Sequence, residues 1–325
     1  TGIYHSFDES YWLEISKDVS NVTEASVESA TSVPRDPNGR YMFQKFIWTS
    51  TEYLFAVDGV GNPLIISIVG DERTGATYRA KEITEGTALT GAKYCTMFKS
   101  QLVLAGFPND PSAFYYSSFA TTDLVSPADD DKEIPQEKFS GSTAGSISVG
   151  DTITGLKMHR DILYIFCENS IWKAVGLETG EPQVQPVTRD IGCLDGFSIQ
   201  EAGGDLIFLA PDGLRNIKNT ERLNDIELGV LSRKVSKILD TVLRNRNRYD
   251  FYSTMIREKN QYRLWWTDEE NIDTSQRGLI AAYTYEAQNN NFAWAFSELE
   301  GLGVTCVDSD WNVHQERVLH GNQAG

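Results

Sequence analysis

A hairpin phrase that recurs along the chain restricts the possible folds more than any other feature. Its clearest copy is GGDLIFLAPDGLRNI (203–217). Leu206 to Ala210 form an apolar run, Pro211-Asp212-Gly213 supply turn chemistry, and Leu214 to Ile217 lead back. Related phrases span 43–67, 90–118, 154–176, 195–217, 261–284 and 301–321. Polar turns at Lys99-Ser100, His159-Arg160-Asp161 and Gly203-Gly204 divide three of them. The hairpin tips fall near residues 58, 109, 168, 212, 270 and 309, a spacing of about 50 residues that matches a β-propeller blade of three to four short strands.

Strands such as Leu163-Tyr164-Ile165-Phe166 and Leu206-Ile207-Phe208-Leu209 are apolar on both faces. A blade buried between two neighbours requires that pattern. Tyr115, Tyr116, Trp172, Trp265 and Trp266 are expected to pack between blades. The reading is an all-β fold, a β-propeller of about five to seven blades over 41–325, incomplete if flanking sequence supplies the rest. Residues 1–40 precede it, and GIYHSFDESYWLEIS is the best candidate there for a closing strand. Two β-sandwiches would also give short strands with regular turns. The period favours the propeller.

One segment breaks the β rhythm. NDIELGVLSRKVSKILDTVLRNRNRYD (224–250) carries Leu231, Val235, Ile238, Leu239, Val242 and Leu243 at helical spacing. An amphipathic helix is expected near 226–246, inserted over 224–248. Arg233, Lys234, Lys237, Arg244, Arg246 and Arg248 cluster on and just after it, with Asp240 the acid between them. Such a face can simply be solvated, or it can contact an acidic neighbour, including the next copy of the chain.

That cationic face contrasts with the whole chain, whose 46 acids against 29 Lys and Arg give a net charge of −17. A surface so acidic lacks the cationic surplus that drives general nucleic-acid binding. No apolar stretch approaches the ~20 residues of a membrane helix. The chain begins Thr1-Gly2-Ile3 and its last residues, RVLHGNQAG, read as a strand entering a turn with no return strand, so an internal piece of a longer chain, or only its ordered part, is expected. Cys95, Cys167, Cys193 and Cys306 are dispersed and read as free, mostly buried thiols of a protein made in a reducing cell. The sequon Asn21-Val22-Thr23 reads as chance.

Catalytic motifs are not found: no G-x-S-x-G elbow, P-loop, dinucleotide fingerprint or H-E-x-x-H. His5, His159, His314 and His320 have no spacing that pairs them with a nucleophile or builds a zinc site. Asp129-Asp130-Asp131 with Glu133, Asp268-Glu269-Glu270, and Asp308 with Asp310 read as solvated loop tips. Paired carboxylates would serve a glycoside hydrolase only at separations set by the fold. No catalytic, cofactor or metal residues are assigned, and no enzyme activity is expected.

Two runs, TITGLKMHRDILYIFCENSIWKAVG (152–176) and VTRDIGCLDGFSIQEAGGDLIFLAPDGLRNI (187–217), carry a resemblance. An I-W strand is followed by a T-x-D-I-G-C turn (Thr188, Asp190, Ile191, Gly192, Cys193) and then by the hairpin phrase. This order resembles the propeller region of tailed-bacteriophage virion structural proteins, closest to the tail tubular or nozzle proteins of short-tailed phages. The resemblance covers about residues 90–230. It implies a non-enzymatic virion component assembled in the host cytoplasm: a ring of identical copies, a hexamer by analogy, contacting adaptor and fibre proteins. Genomic DNA would pass through it without sequence-specific binding, since an acidic wall repels phosphate. The basic residues at 233–248 would then lie at an interface, away from the channel. The alternatives are a baseplate or tail-tip propeller that binds host-surface carbohydrate and a propeller glycoside hydrolase.

Overall fold

The computed structural model describes residues 4–5, 13–14, 16–17, 39–48, 51–69, 77–82, 89–99, 101–117, 139, 144–176, 182–217, 230–268, 277–286, 291–312 and 315–321. The chain is an all-β protein in a five-blade β-propeller arrangement. A short pair, β1 (Tyr4–His5) and β2 (Leu13–Glu14), precedes the blades. The first sheet contains β3 (Ser16–Lys17), β4 (Met42–Trp48), β5 (Thr51–Val57), β6 (Leu64–Val69) and β7 (Thr77–Glu82) in the order β3-β7-β6-β5-β4. β3 pairs parallel to β7, whereas the other neighbours are antiparallel. The second sheet is β8 (Tyr94–Phe98), β9 (Gln101–Phe107), β10 (Asp110–Tyr116) and β11 (Gly145–Ser148). The third is β12 (Ile153–His159), β13 (Ile162–Cys167), β14 (Ile171–Val175) and β15 (Gln183–Thr188).

The fourth sheet has three strands, β16 (Gln200–Ala202), β17 (Asp205–Ala210) and β18 (Gly213–Asn216). One α-helix follows among the described residues, α1 (Ser236–Arg244). The fifth sheet is β19 (Tyr249–Ile256), β20 (Gln261–Asp268), β21 (Arg277–Glu286) and β22 (Asn291–Glu300). A final hairpin joins β23 (Cys306–Asn312) to β24 (Gln315–Gly321). By compactness the chain forms two units, Thr1–Leu163 with Ala174–Val184, and Tyr164–Lys173 with Gln185–Gly325.

Local chemistry accounts for the hairpins. Gly203 and Gly204 adopt φ of 60° and 71° between the paired residues Ala202 and Asp205, the left-handed geometry of a tight two-residue turn. Arg160 and Asp161 take the same region at 48° and 61°. Asp58 accepts hydrogen bonds from the Val60 and Gly61 amides at 3.0 and 2.8 Å, so its carboxylate organises the turn after β5. Turns also occupy the expected tips at 109, 168 and 212. The tip expected near 270 lies outside the described residues. The tip expected near 309 is corrected: Ser309 lies within β23, which stays paired as far as Asn312↔Gln315.

In the first unit, Phe46, Phe55, Val57 and Ile65 pack against Cys95, Leu102, Leu104 and Phe107. In the second, Leu209 and Leu214 meet Phe251, Tyr262, Leu264 and Trp266 together with Leu239 and Val242 of α1. Consecutive residues of a strand face opposite sides. Trp265 accordingly leaves that cluster for another, with Tyr252, Val304 and Val307. Tyr116, Trp265 and Trp266 are buried as expected, whereas Tyr115 and Trp172 are half-buried.

Buried acidic hydrogens, one in the core of each unit, make the fold sensitive to alkali. Tyr262 is fully buried and donates to the Ser198 carbonyl at 2.8 Å. Burial pushes its phenol, and the buried Cys95 thiol, well above their ordinary values. The unfolded chain releases both protons near ordinary pH while the folded chain keeps them. This contribution is therefore complete below about pH 8.5 and is lost as pH rises. The urea midpoint should fall steadily above about pH 9, and Tyr262→Phe should flatten the decline above about pH 10. An identical alkaline slope in the variant would count against this assignment.

Candidate functional site

The expected basic helix exists but is shorter than the sequence suggested. Residues 231–235 form a 3₁₀ turn, α1 covers Ser236–Arg244, and a second 3₁₀ turn holds Arg246–Arg248. The start expected at 226–229 lies outside the described residues. The apolar positions behave as expected: Leu239 and Val242 are buried, and Leu231, Val235, Ile238 and Leu243 pack half-buried on the same cluster. Ser232 anchors the first turn by accepting from the Leu214 amide at 3.0 Å.

All six cations of the cluster are exposed, and one of them is paired with a buried acid. Arg233, Lys234, Lys237, Arg244 and Arg246 are exposed. Arg248, its side chain 47% exposed, pairs with Asp268: its Nε lies 2.6 Å from a carboxylate oxygen of a side chain that is 4% exposed. This corrects the reading of Asp268 as a solvated loop tip. It ends β20 inside the protein, and the arginine compensates its desolvation. Glu269, Glu270, the 129–133 acids, His314 and the 21–23 sequon lie outside the described residues.

An aromatic groove adjoins the helix, and no sequence motif announces it. Lys234 and Val235 line it with Thr284 of β21 and Ala293, Trp294, Ala295 and Phe296 of β22, enclosing about 170 Å³. Tyr283 pairs across the strands with Trp294, their ring centroids 5.1 Å apart. Tyr283 is 40% exposed, so the rim of the groove is apolar as well as basic.

Other chemistry-bearing residues are built into the scaffold. Cys95, Cys167 and Cys193 are buried and Cys306 is exposed, all four as free thiols. His159 is buried at the end of β12, and His320 is exposed on β24. Asp308 and Asp310 lie exposed on β23, each accepting a hydrogen bond from the next residue's amide, at 2.8 and 2.7 Å. Among the described residues no group of three or more His, Cys, Asp or Glu is placed to hold a metal ion, and no helix is long and apolar enough to cross a membrane.

No family model matches the chain, and no curated protein matches it. Among solved structures, Hsv2 of Kluyveromyces lactis aligns with a TM-score of 0.41 and 11% identity, over 83% of this chain and 76% of that one. The SapL1 lectin, in complex with alpha methyl fucoside, aligns at 0.38 and 11%, over 88% and 90%. The AfRom2 CNH domain aligns at 0.37 and 9%, over 82% and 89%. Similarity this distant carries no function across. The sheets and the surface define the class, a β-propeller with a cationic helix beside an open aromatic groove.

Proposed function

We propose that the chain is a non-enzymatic structural component of a bacteriophage tail, part of a nozzle or tail-tube ring that forms the DNA ejection conduit. The observation that carries this reading is the charge arrangement. Six exposed cations lie on and around α1, with Lys234 in the wall of an aromatic groove, on a chain of net charge −17. The acidic partner such a surface suits is supplied by the next copy of the same chain. The phage-like runs at 152–176 and 187–217 support the virion setting. Adaptor and fibre proteins are the further partners of this reading, and genomic DNA crosses the ring without being held.

Electron microscopy of the native particle, averaged without imposed symmetry, tests it. A sixfold or twelvefold ring in the tail is the expected result. Free monomers, or the exposed cations found lining a DNA channel, would overturn it. A carbohydrate-binding tail tip would need exposed aromatics over an acidic pocket. The exposed ring of Tyr283 and its neighbour Trp294 instead border a groove that holds Lys234.

A further inference from the structure

Two segments of the chain carry charge in complementary order. From Arg233 to Arg244 the charged residues are Arg233, Lys234, Lys237, Asp240 and Arg244: three cations, one acid, one cation. All five side chains are exposed, and none has an ion-pair partner among the described residues. Lys237, Asp240 and Arg244 lie three and four residues apart, which places them on one face of α1, turned away from the buried Leu239 and Val242. Arg233 and Lys234 extend the stripe into the 3₁₀ turn before the helix. Its length is about 16 Å.

The run Asp129-Asp130-Asp131-Lys132-Glu133 has the inverse order: three acids, one cation, one acid. Five extended residues span at most about 17 Å, which matches the stripe. The run belongs to the connection between β10, which ends at Tyr116, and β11, which begins at Gly145. About a dozen residues separate it from each strand, so its reach from its own sheet is up to about 40 Å, enough to meet a neighbouring copy.

We propose that the 129–133 run of one copy lies along the exposed face of α1 in the next. Asp129, Asp130 and Asp131 then meet Arg233, Lys234 and Lys237, Lys132 meets Asp240, and Glu133 meets Arg244. This rests on the ring reading above and names its contact. Charge complementarity selects the occupant, because Lys132 answers the single acid of the stripe, where a uniformly acidic segment would be repelled. One exposed ion pair adds little, so the contact depends on all five acting in register. Run and helix are different surfaces, so the contact is head-to-tail and closes into a ring or extends as a filament.

Sedimentation equilibrium of the whole chain at about 0.05 M salt, where screening is weak, provides the test, with circular dichroism confirming that each variant folds. The wild-type chain should self-associate at ~100 µM. Reversing the run (Asp129→Lys, Asp130→Lys, Asp131→Lys) should weaken association about tenfold or more, and so should reversing the stripe (Arg233→Glu, Lys234→Glu, Lys237→Glu). Placing all six substitutions in one chain leaves the net charge at −17, since three reversals of each sign cancel, and should recover most of the association. An equimolar mixture of the two reversed chains should also associate, because the new lysines of one meet the new glutamates of the other. Reversed chains that assemble like wild type, or a mixture that stays apart, would overturn this contact and leave the ring standing. A wild-type chain that stays monomeric would overturn both.

Discussion

Replacing Trp266 with alanine should cost about 4 kcal/mol, the largest single loss expected from any side-chain truncation here. The indole is 2% exposed and belongs to the cluster where three elements meet. Leu209 and Leu214 come from the fourth sheet, Phe251, Tyr262, Leu264 and Leu279 from the fifth, and Leu239 and Val242 from α1. Truncation removes the ring's transfer energy and leaves a cavity that stiff sheets cannot close. The helix should suffer most after the site itself. At nine residues α1 is too short to be stable alone and depends on this packing. Urea denaturation followed by far-ultraviolet circular dichroism should show a lower midpoint, and amide exchange should accelerate across 236–244. A loss below about 1 kcal/mol would mean the cluster repacks, and the account of the helix anchor would fall.

A methyl group at Gly192 should be nearly as damaging. The residue lies in the T-x-D-I-G-C turn that follows β15. Its α-carbon rests against the backbone of Cys167 and Glu168, where no Cβ can be accommodated. The next amide, of Cys193, donates to the Cys167 carbonyl at 2.8 Å, so the turn is stitched to the end of β13. Gly192→Ala must push two backbone segments apart and lose that bond, a cost of about 3 kcal/mol or more. Gly203→Ala is the control. Gly203 has φ of 60°, but a methyl group there would meet nothing within 4 Å, so only the left-handed penalty of about 1–2 kcal/mol applies. A loss at Gly192 no larger than at Gly203 would show that the backbone of Cys167 and Glu168 yields to a methyl group.

Both predictions touch residues visible in the sequence, but for different reasons. Trp266 lies in an apolar strand flanked by turn residues, and its burial follows from that pattern. Gly192 is visible only as part of a turn phrase; what it touches comes from β13, many residues earlier. The helix shows the same division. Its buried positions Leu239 and Val242 are readable from spacing, whereas its bounds are not, because a 3₁₀ turn pinned by Ser232 to Leu214 replaces its first turn.

Polar burial was the least legible property. Asp268 opens a run of three acids and reads as solvated, yet it is enclosed because Arg248 is delivered to it by β19 pairing with β20. Arg215 follows a turn glycine by two residues, yet it is 1% exposed and gives two hydrogen bonds to Asp212, at 2.9 and 2.5 Å. The acidic stretch around Ser309 reads as a turn, but Val307 and Ser309 are held on the fifth sheet and the strand continues to Asn312. The groove was invisible for the same reason, since Lys234 and β22 are distant in sequence.

The sequence by itself determined the strands, most of the hairpin turns, the blade-length period and the apolar face of the helix. Those depend on backbone preference and on alternation between near neighbours, which a short stretch of chain carries within itself. The tertiary structure decided which charges are buried and paired, which glycine has no room for a side chain, and which aromatic surfaces stay open to a partner. Burial depends on groups that arrive from elsewhere in the chain, and only the folded arrangement brings them together.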